Sequence, residues 1–262
     1  MAHVFFMRHW ITIHNVLSQL RINSPEYQLL LTLDPRSRQA RRLAKAVMKK
    51  FPATGLQALP GDFEGAARAG LGLSELMFQL DEARTPHAIV RSDTVRTEHT
   101  YQALVAGNPA LGRCPVVVRE DIVERVWGDK IGKLKAGDVN ADYNLLLAAL
   151  EDRHFSEELL TPEGLYQFSL EGGESPAMVV ERLRGFYTWL SQTYAGQTVV
   201  VLGHGSAGGL LKGVIGGYTP AEMMQAAYTD TLPNLHGFVC KWEGARLVLQ
   251  ERPTTSYETY RP

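Results

Sequence analysis

Short apolar runs alternating with amphipathic helical patterns predict an α/β fold whose sheet is at least partly parallel. Two runs, His3 to Met7 and Thr198 to Leu202, are strand-favouring and do not alternate with polar residues, the mark of strands buried on both faces. Between them, apolar residues at Ala40, Leu43, Ala44 and Val47 mark a helix over Arg38 to Phe51. Val179, Leu183, Phe186 and Leu190 repeat at helical spacing and mark another.

The remaining elements follow in order. A helical stretch is expected near Leu73 to Ala83, and Ala88-Ile89-Val90 is a third buried strand running into Ser92. The stretch SAGGLLKGVIGG after Gly205 turns into an apolar helix. Thr219-Pro220-Ala221-Glu222 starts the next one, with an N-cap hydroxyl, proline at the first helical position and glutamate at the capping-box position. Gly237 to Trp242 and Arg246 to Gln250 flank Glu243-Gly244-Ala245, the pattern of a hairpin at a sheet edge. No repeat or linker divides the chain, so residues 1–262 read as a single domain with insertions at about 52–88 and 132–170. Each insertion suits a lid, a contact in a homo-oligomer, or plain surface cover.

Composition narrows the function. The chain has 262 residues, 45% apolar and 21% charged, with 27 Lys plus Arg against 28 Asp plus Glu. A net charge of -1 leaves no electrostatic footprint for nucleic acid. No window approaches the roughly 18 apolar residues of a membrane span. Cys114 and Cys240 allow at most one disulfide and have no zinc-site spacing. A soluble cytoplasmic protein is expected, with no nucleic-acid or membrane partner.

The chemistry gathers at strand ends. In an open parallel sheet, ligands collect outside the carboxyl ends of the strands, and Arg8-His9 and His204-Gly205 stand at two such ends. Neutral imidazole is a nucleophile near pH 7, and guanidinium grips phosphate oxygens in pairs. The amino end of the helix after His204 is expected to be an anion site. Arg96 lies one helical turn past the third strand; on its own it reads as a surface arginine paired with Asp93 or Glu98. Glu124, near Trp127, is a carboxyl group that desolvation could keep protonated as a donor to a leaving oxygen, or else a loop salt bridge. Lys130, Lys133 and Lys135 read as a solvated basic loop, and His14, His99 and His236 receive no role.

In order and spacing the chain resembles the histidine phosphatase superfamily, phosphoglycerate mutase-like, in the branch with an N-terminal R-H-G-x-[ST]-x-x-N signature. Arg8, His9, Thr12 and Asn15 stand at its offsets, and Leu31-Thr32 with Arg38-Gln39-Ala40 resembles its L-T…Q-A segment. Ser92, Asp93, Arg96 and Thr100 match S-D-x-x-R-x-x-x-T, and Glu124 falls in the acidic-donor loop. Gly173-Glu174-Ser175, His204-Gly205 and Pro233-Asn234 match later segments. The resemblance spans nearly the whole chain and implies a three-layer sandwich with a mostly parallel central sheet flanked by helices.

It also implies roles. His9 attacks phosphorus and carries a phosphohistidine, and Arg8, Arg96 and a protonated His204 hold the phosphoryl oxygens. Thr12, Asn15 and the Gly205 amide assist, and Glu124 protonates the leaving alkoxide. A backbone carbonyl is expected on the other ring nitrogen of His9. Trp10 stands where the family has glycine; it either stacks on a substrate or covers the pocket wall. No metal or other cofactor is required. The segment after Asn15 lacks the G-W-x-D-x-x-L pattern associated with glycolytic mutases, having LLLTLDP instead. Hydrolysis of a small phosphorylated metabolite is therefore favoured over phosphoryl transfer of the mutase type or a non-catalytic binding module.

Overall fold

A computed structural model of the chain describes residues 2–10, 20, 23–33, 37–50, 63–80, 85–126, 161–169, 172–230, 232–250 and 255–256. The strands are β1 (His3–Arg8), β2 (Ala88–Ser92), β3 (Val116–Arg119), β4 (Val199–Gly203), β5 (His236–Glu243), β6 (Arg246–Leu249) and β7 (Thr255–Ser256). They form one sheet in the order β3-β2-β4-β1-β5-β6, with β7 also paired to β5. β1 to β4 are mutually parallel, and β5 enters antiparallel beside β1. The carboxyl ends of β1, β2, β3 and β4 therefore lie along one edge.

The helices are α1 (Pro25–Leu31), α2 (Arg38–Lys50), α3 (Phe63–Gln79), α4 (Val95–Gly107), α5 (Pro162–Gln167), α6 (Pro176–Tyr194), α7 (Gly205–Gly216) and α8 (Pro220–Met224). Local chemistry sets their ends. Ser175 caps α6 by accepting the Met178 N–H, with Pro176 at the first position. Thr219 and Glu222 close the expected capping box on α8. α7 stops at Gly217, whose φ of 69° lies in the left-handed region.

Successive side chains on the buried strands point to opposite faces, which gives the sheet two cores. Phe6, Val90, Val199, Val201 and Phe238 pack with Val179, Leu183, Phe186 and Leu190 of α6 and Leu210 and Leu211 of α7. Phe5, Met7, Ile89, Val200 and Leu202 face Ala66, Ala69 and Leu73 of α3 and Leu104 of α4. This is the expected α/β sandwich: helices, a mostly parallel sheet, helices.

Two boundaries move. The helix expected near Leu73 to Ala83 runs from Phe63 to Gln79, because small residues ahead of Leu73 give it a second stretch that packs closely on α4. Gly70 and Gly107 mark that contact: a Cβ at Gly70 would stand 2.4 Å from the Leu104 carbonyl oxygen, and one at Gly107 1.8 Å from that of Ala67. Within the 52–88 stretch, α3 thus supplies Ala66, Ala69, Leu73, Leu76 and Met77 to the core. Of the 132–170 insertion, α5 is described, with Tyr166 buried against α6. Cys114 and Cys240 are free and buried. No helix among the described residues is long and apolar enough to cross a membrane.

Candidate active site

Strand register brings the two histidines together. Arg8 pairs with Gly203 across β1 and β4, so the residues that follow, His9 and His204, leave the sheet side by side. Their ring centroids are 5.2 Å apart with planes at 61°, and both are buried. The His9 N–H donates to the Gly203 carbonyl at 2.9 Å. The side-chain amide of Asn234 donates to the His9 carbonyl at 2.8 Å. These bonds clamp the His9 backbone from both sides.

The His9 ring has a defined tautomer. Its Nδ1 lies 2.6 Å from the Trp10 carbonyl oxygen, which can only accept, so Nδ1 carries a hydrogen and the neutral form of the ring is the tautomer with its lone pair on Nε2. This is the carbonyl anticipated from the sequence. Arg8 is buried at the end of β1 and donates through Nη1 to the Leu232 carbonyl at 2.6 Å.

His204 differs from expectation. Arg96 donates Nε–H to its Nδ1 at 3.0 Å, and guanidinium never accepts, so Nδ1 is bare and Nε2–H points to the Ser92 hydroxyl at 2.7 Å. Burial first, and then the charges of Arg96, His9, Arg8 and Arg182, hold its pKa well below the ordinary imidazole value. His204 is a neutral ring here, not the protonated donor predicted, because it is fully desolvated among cations.

The S-D-x-x-R-x-x-x-T segment wraps this pair. Ser92 ends β2, Arg96 opens α4, and Thr100 accepts the Trp10 N–H at 2.9 Å while donating to the Arg96 carbonyl at 2.7 Å. Glu98 pairs with Arg91 instead of Arg96. Asp93 is exposed. Trp10 is 3% exposed and belongs to the same core as Phe5, Met7, Leu73 and Leu104. That supports the wall-covering reading and leaves little ring surface for a substrate. Thr12, Asn15 and Trp127 lie outside the described residues, as do Lys130, Lys133 and Lys135.

Glu124 follows β3 and reaches the amino end of α7, whose first N–H groups have no partner within the helix. Its oxygens accept the N–H groups of Ser206 at 3.3 Å and Ala207 at 3.2 Å, the Ser206 hydroxyl, and the Arg125 N–H at 3.0 Å. The helix end at which an anion site was expected thus meets the side chain of Glu124, whose oxygens accept its first N–H groups. Glu124 is buried, and among the described residues its partners are donors.

The loop bearing Glu124 is held by residues that local patterns do not reveal. Arg182 on α6 forks onto Glu174 at 2.8 and 3.1 Å and donates to the carbonyls of Asp121 at 2.8 Å and Glu124 at 3.4 Å. Glu174 in turn accepts the Val126 N–H at 2.9 Å. Burial pushes the Glu174 carboxyl up, but the Arg182 bonds, the Val126 N–H and the charges of Arg182 and Arg125 outweigh it and hold it below the usual carboxylate range. Arg125 ties three segments, donating to the carbonyls of Glu174 at 2.6 Å and Phe168 at 2.9 Å and to the Tyr228 hydroxyl at 3.3 Å. Glu174 stands in a recognised segment, whereas Arg125 and Arg182 carry no sequence signal beyond their charge.

A family model described as histidine phosphatase superfamily (branch 1) matches residues 72–250. The chain belongs to this superfamily. The match takes in Ser92, Arg96, Glu124 and His204, while Arg8 and His9 precede it. Solved structures share the fold at low identity. Mycobacterial glucosyl-3-phosphoglycerate phosphatase with inorganic phosphate aligns at TM-score 0.61 and 16% identity, covering 99% of this chain and 100% of its own. The α-ribazole phosphatase of Shigella flexneri aligns at 0.58 and 15%, covering 95% and 94%. YhfR of Bacillus stearothermophilus aligns at 0.59 and 14%, covering 98% and 100%. No curated protein matches the sequence.

Proposed function

We propose that the protein hydrolyses a small phosphorylated metabolite through a phosphohistidine at His9, in the cytoplasm. The observation that carries this reading is the buried pair of His9 and His204, 5.2 Å apart and close to Arg8 and Arg96, with His9 Nδ1 held by the Trp10 carbonyl so that the neutral ring has Nε2 as its nucleophilic nitrogen. Named phosphatases among the structurally similar proteins agree with hydrolysis of a phosphate monoester.

His9 Nε2 forms a bond to phosphorus as the ester P–O bond breaks, and the bonding pair leaves on the ester oxygen. Glu124 gives that oxygen its proton and becomes a carboxylate. Water then attacks phosphorus and returns a proton to Glu124, and the N–P electron pair goes back to Nε2. Arg8 and Arg96 balance the charge of the equatorial oxygens, with Thr12, Asn15 and Gly205 assigned to assist. Neutral His204 donates through Nε2–H once it exchanges Ser92 for a phosphoryl oxygen. Several donors are needed: monoester hydrolysis can demand up to ~10²¹-fold acceleration, and one preorganised donor supplies roughly 3 to 4 kcal/mol.

The test is turnover of 4-nitrophenyl phosphate and of phosphoglycerates, with acid quenching to trap an acid-labile, base-stable phosphoryl group. The expected results are inorganic phosphate release, a label on His9, and a loss of about 10⁴-fold or more in His9→Ala. Isomer formed without phosphate release would make the protein a mutase. Equal, near-zero rates in wild type and variant would make it a binder.

A further inference from the structure

The two oxygens of Glu124 are unequal. Oε1 accepts the Arg125 N–H at 3.0 Å, the Ala207 N–H at 3.2 Å and the Ser206 hydroxyl. Oε2 accepts, among the described residues, the Ser206 N–H at 3.3 Å and nothing else. A carboxyl oxygen offers two lone-pair directions, so three donors saturate Oε1. Two of them are backbone N–H groups that cannot turn into acceptors, and a proton on Oε1 would meet them head-on.

We infer that Oε2 is the oxygen that carries the proton to the leaving group, because two backbone N–H groups close Oε1 to it, and that Ser206 is the positioning residue that holds the carboxyl group in that orientation. The hydroxyl of Ser206 donates to Oε1 while its own N–H, one residue into α7, donates to Oε2 at 3.3 Å. One residue thereby fixes the rotation of the carboxyl plane by holding both of its oxygens. The proton moves from Oε2 to the ester oxygen as the P–O bond breaks, and Oε1 keeps its three donors throughout. This inference rests on Glu124 as the proton donor, as proposed above.

That role separates from simple packing by the leaving group. Nitrophenolate departs without needing a proton, whereas phenolate gains from one. Ser206→Ala keeps the backbone N–H groups and removes the hydroxyl. Its kcat/KM, which reports steps up to phosphoryl transfer, is expected to fall about 10-fold on phenyl phosphate and less than about 2-fold on 4-nitrophenyl phosphate, with Ser206→Thr restoring both. Glu124→Gln should show the same split, larger, at about 100-fold. An equal loss on both substrates in Ser206→Ala, or no loss, overturns the role of Ser206 while Glu124→Gln keeps its split. No split in Glu124→Gln takes the acid assignment and this inference down together. No turnover by the wild type removes the phosphatase reading first.

Discussion

Arg96 can only donate, so its Nε–H on the Nδ1 of His204 makes that ring neutral in the folded protein. In the unfolded chain the same histidine titrates near pH 6.5. Its folded pKa is depressed, so below pH 6.5 the unfolded chain binds the extra proton. The stability held by this residue is therefore complete above about pH 6.5 and falls as the pH drops toward the folded value. Urea unfolding at pH 7.5 and 5.5 should give a lower midpoint at 5.5, and His204→Gln should shrink the difference. A difference unchanged in the variant would mean that the ring is not held neutral. The positions of His9 and His204 were legible because each ends a buried strand, and the carbonyl partner of His9 followed from the need for a bare nucleophilic nitrogen. The charge state of His204 was not legible. It depends on Arg96 and Ser92, brought in by a separate strand and helix, and on a desolvation that only the packed sheet creates.

At the scale of elements, the Glu124 loop is a short segment after β3 that owes its shape to α6. The fork between Arg182 and Glu174 is partly buried, and three backbone groups hang on it: the carbonyls of Asp121 and Glu124, and the N–H of Val126. Removing one side of such a pair leaves the other unpaired, at a cost of about 1 to 3 kcal/mol. Arg182→Ala should therefore lower amide exchange protection at Arg125 and Val126 by roughly 10- to 100-fold and leave the β4 amides unchanged. Uniform loss of protection across the sheet would make Arg182 a global rather than a local brace. The depressed pKa of Glu174 adds a sign: its contribution is present above the usual carboxylate range near pH 4.3 and is lost as the pH falls through its lower folded value. Sequence pattern located this loop and its glutamates, because their order along the chain resembles the family. It could not locate the brace, since Arg182 faces the loop through helix packing and not through any local spacing.

For the whole molecule, the two-faced core was written in the uninterrupted apolar runs of β1 and β4, and the edge hairpin in its glycine turn. The share of the chain assigned to insertions was not. A helix rich in glycine and alanine has a weak apolar signature, and its role depends on how closely another helix approaches it. Gly70 decides the matter by sign. In a helix lying free on the surface, Gly→Ala stabilises by about 1 kcal/mol, because alanine restricts the unfolded chain. At Gly70 the new methyl carbon would stand 2.4 Å from the Leu104 carbonyl oxygen, a backbone atom that cannot swing aside. α3 and α4 would have to separate, and overpacking of this kind costs typically about 1 to 3 kcal/mol. Gly70→Ala should therefore lower the melting temperature by roughly 2 to 12 °C. Leu73→Ala, which opens a cavity in the same core, should cost about 2 to 5 kcal/mol. A Gly70→Ala protein that melts higher than the wild type would return α3 to the surface and leave that face of the sheet covered by something else.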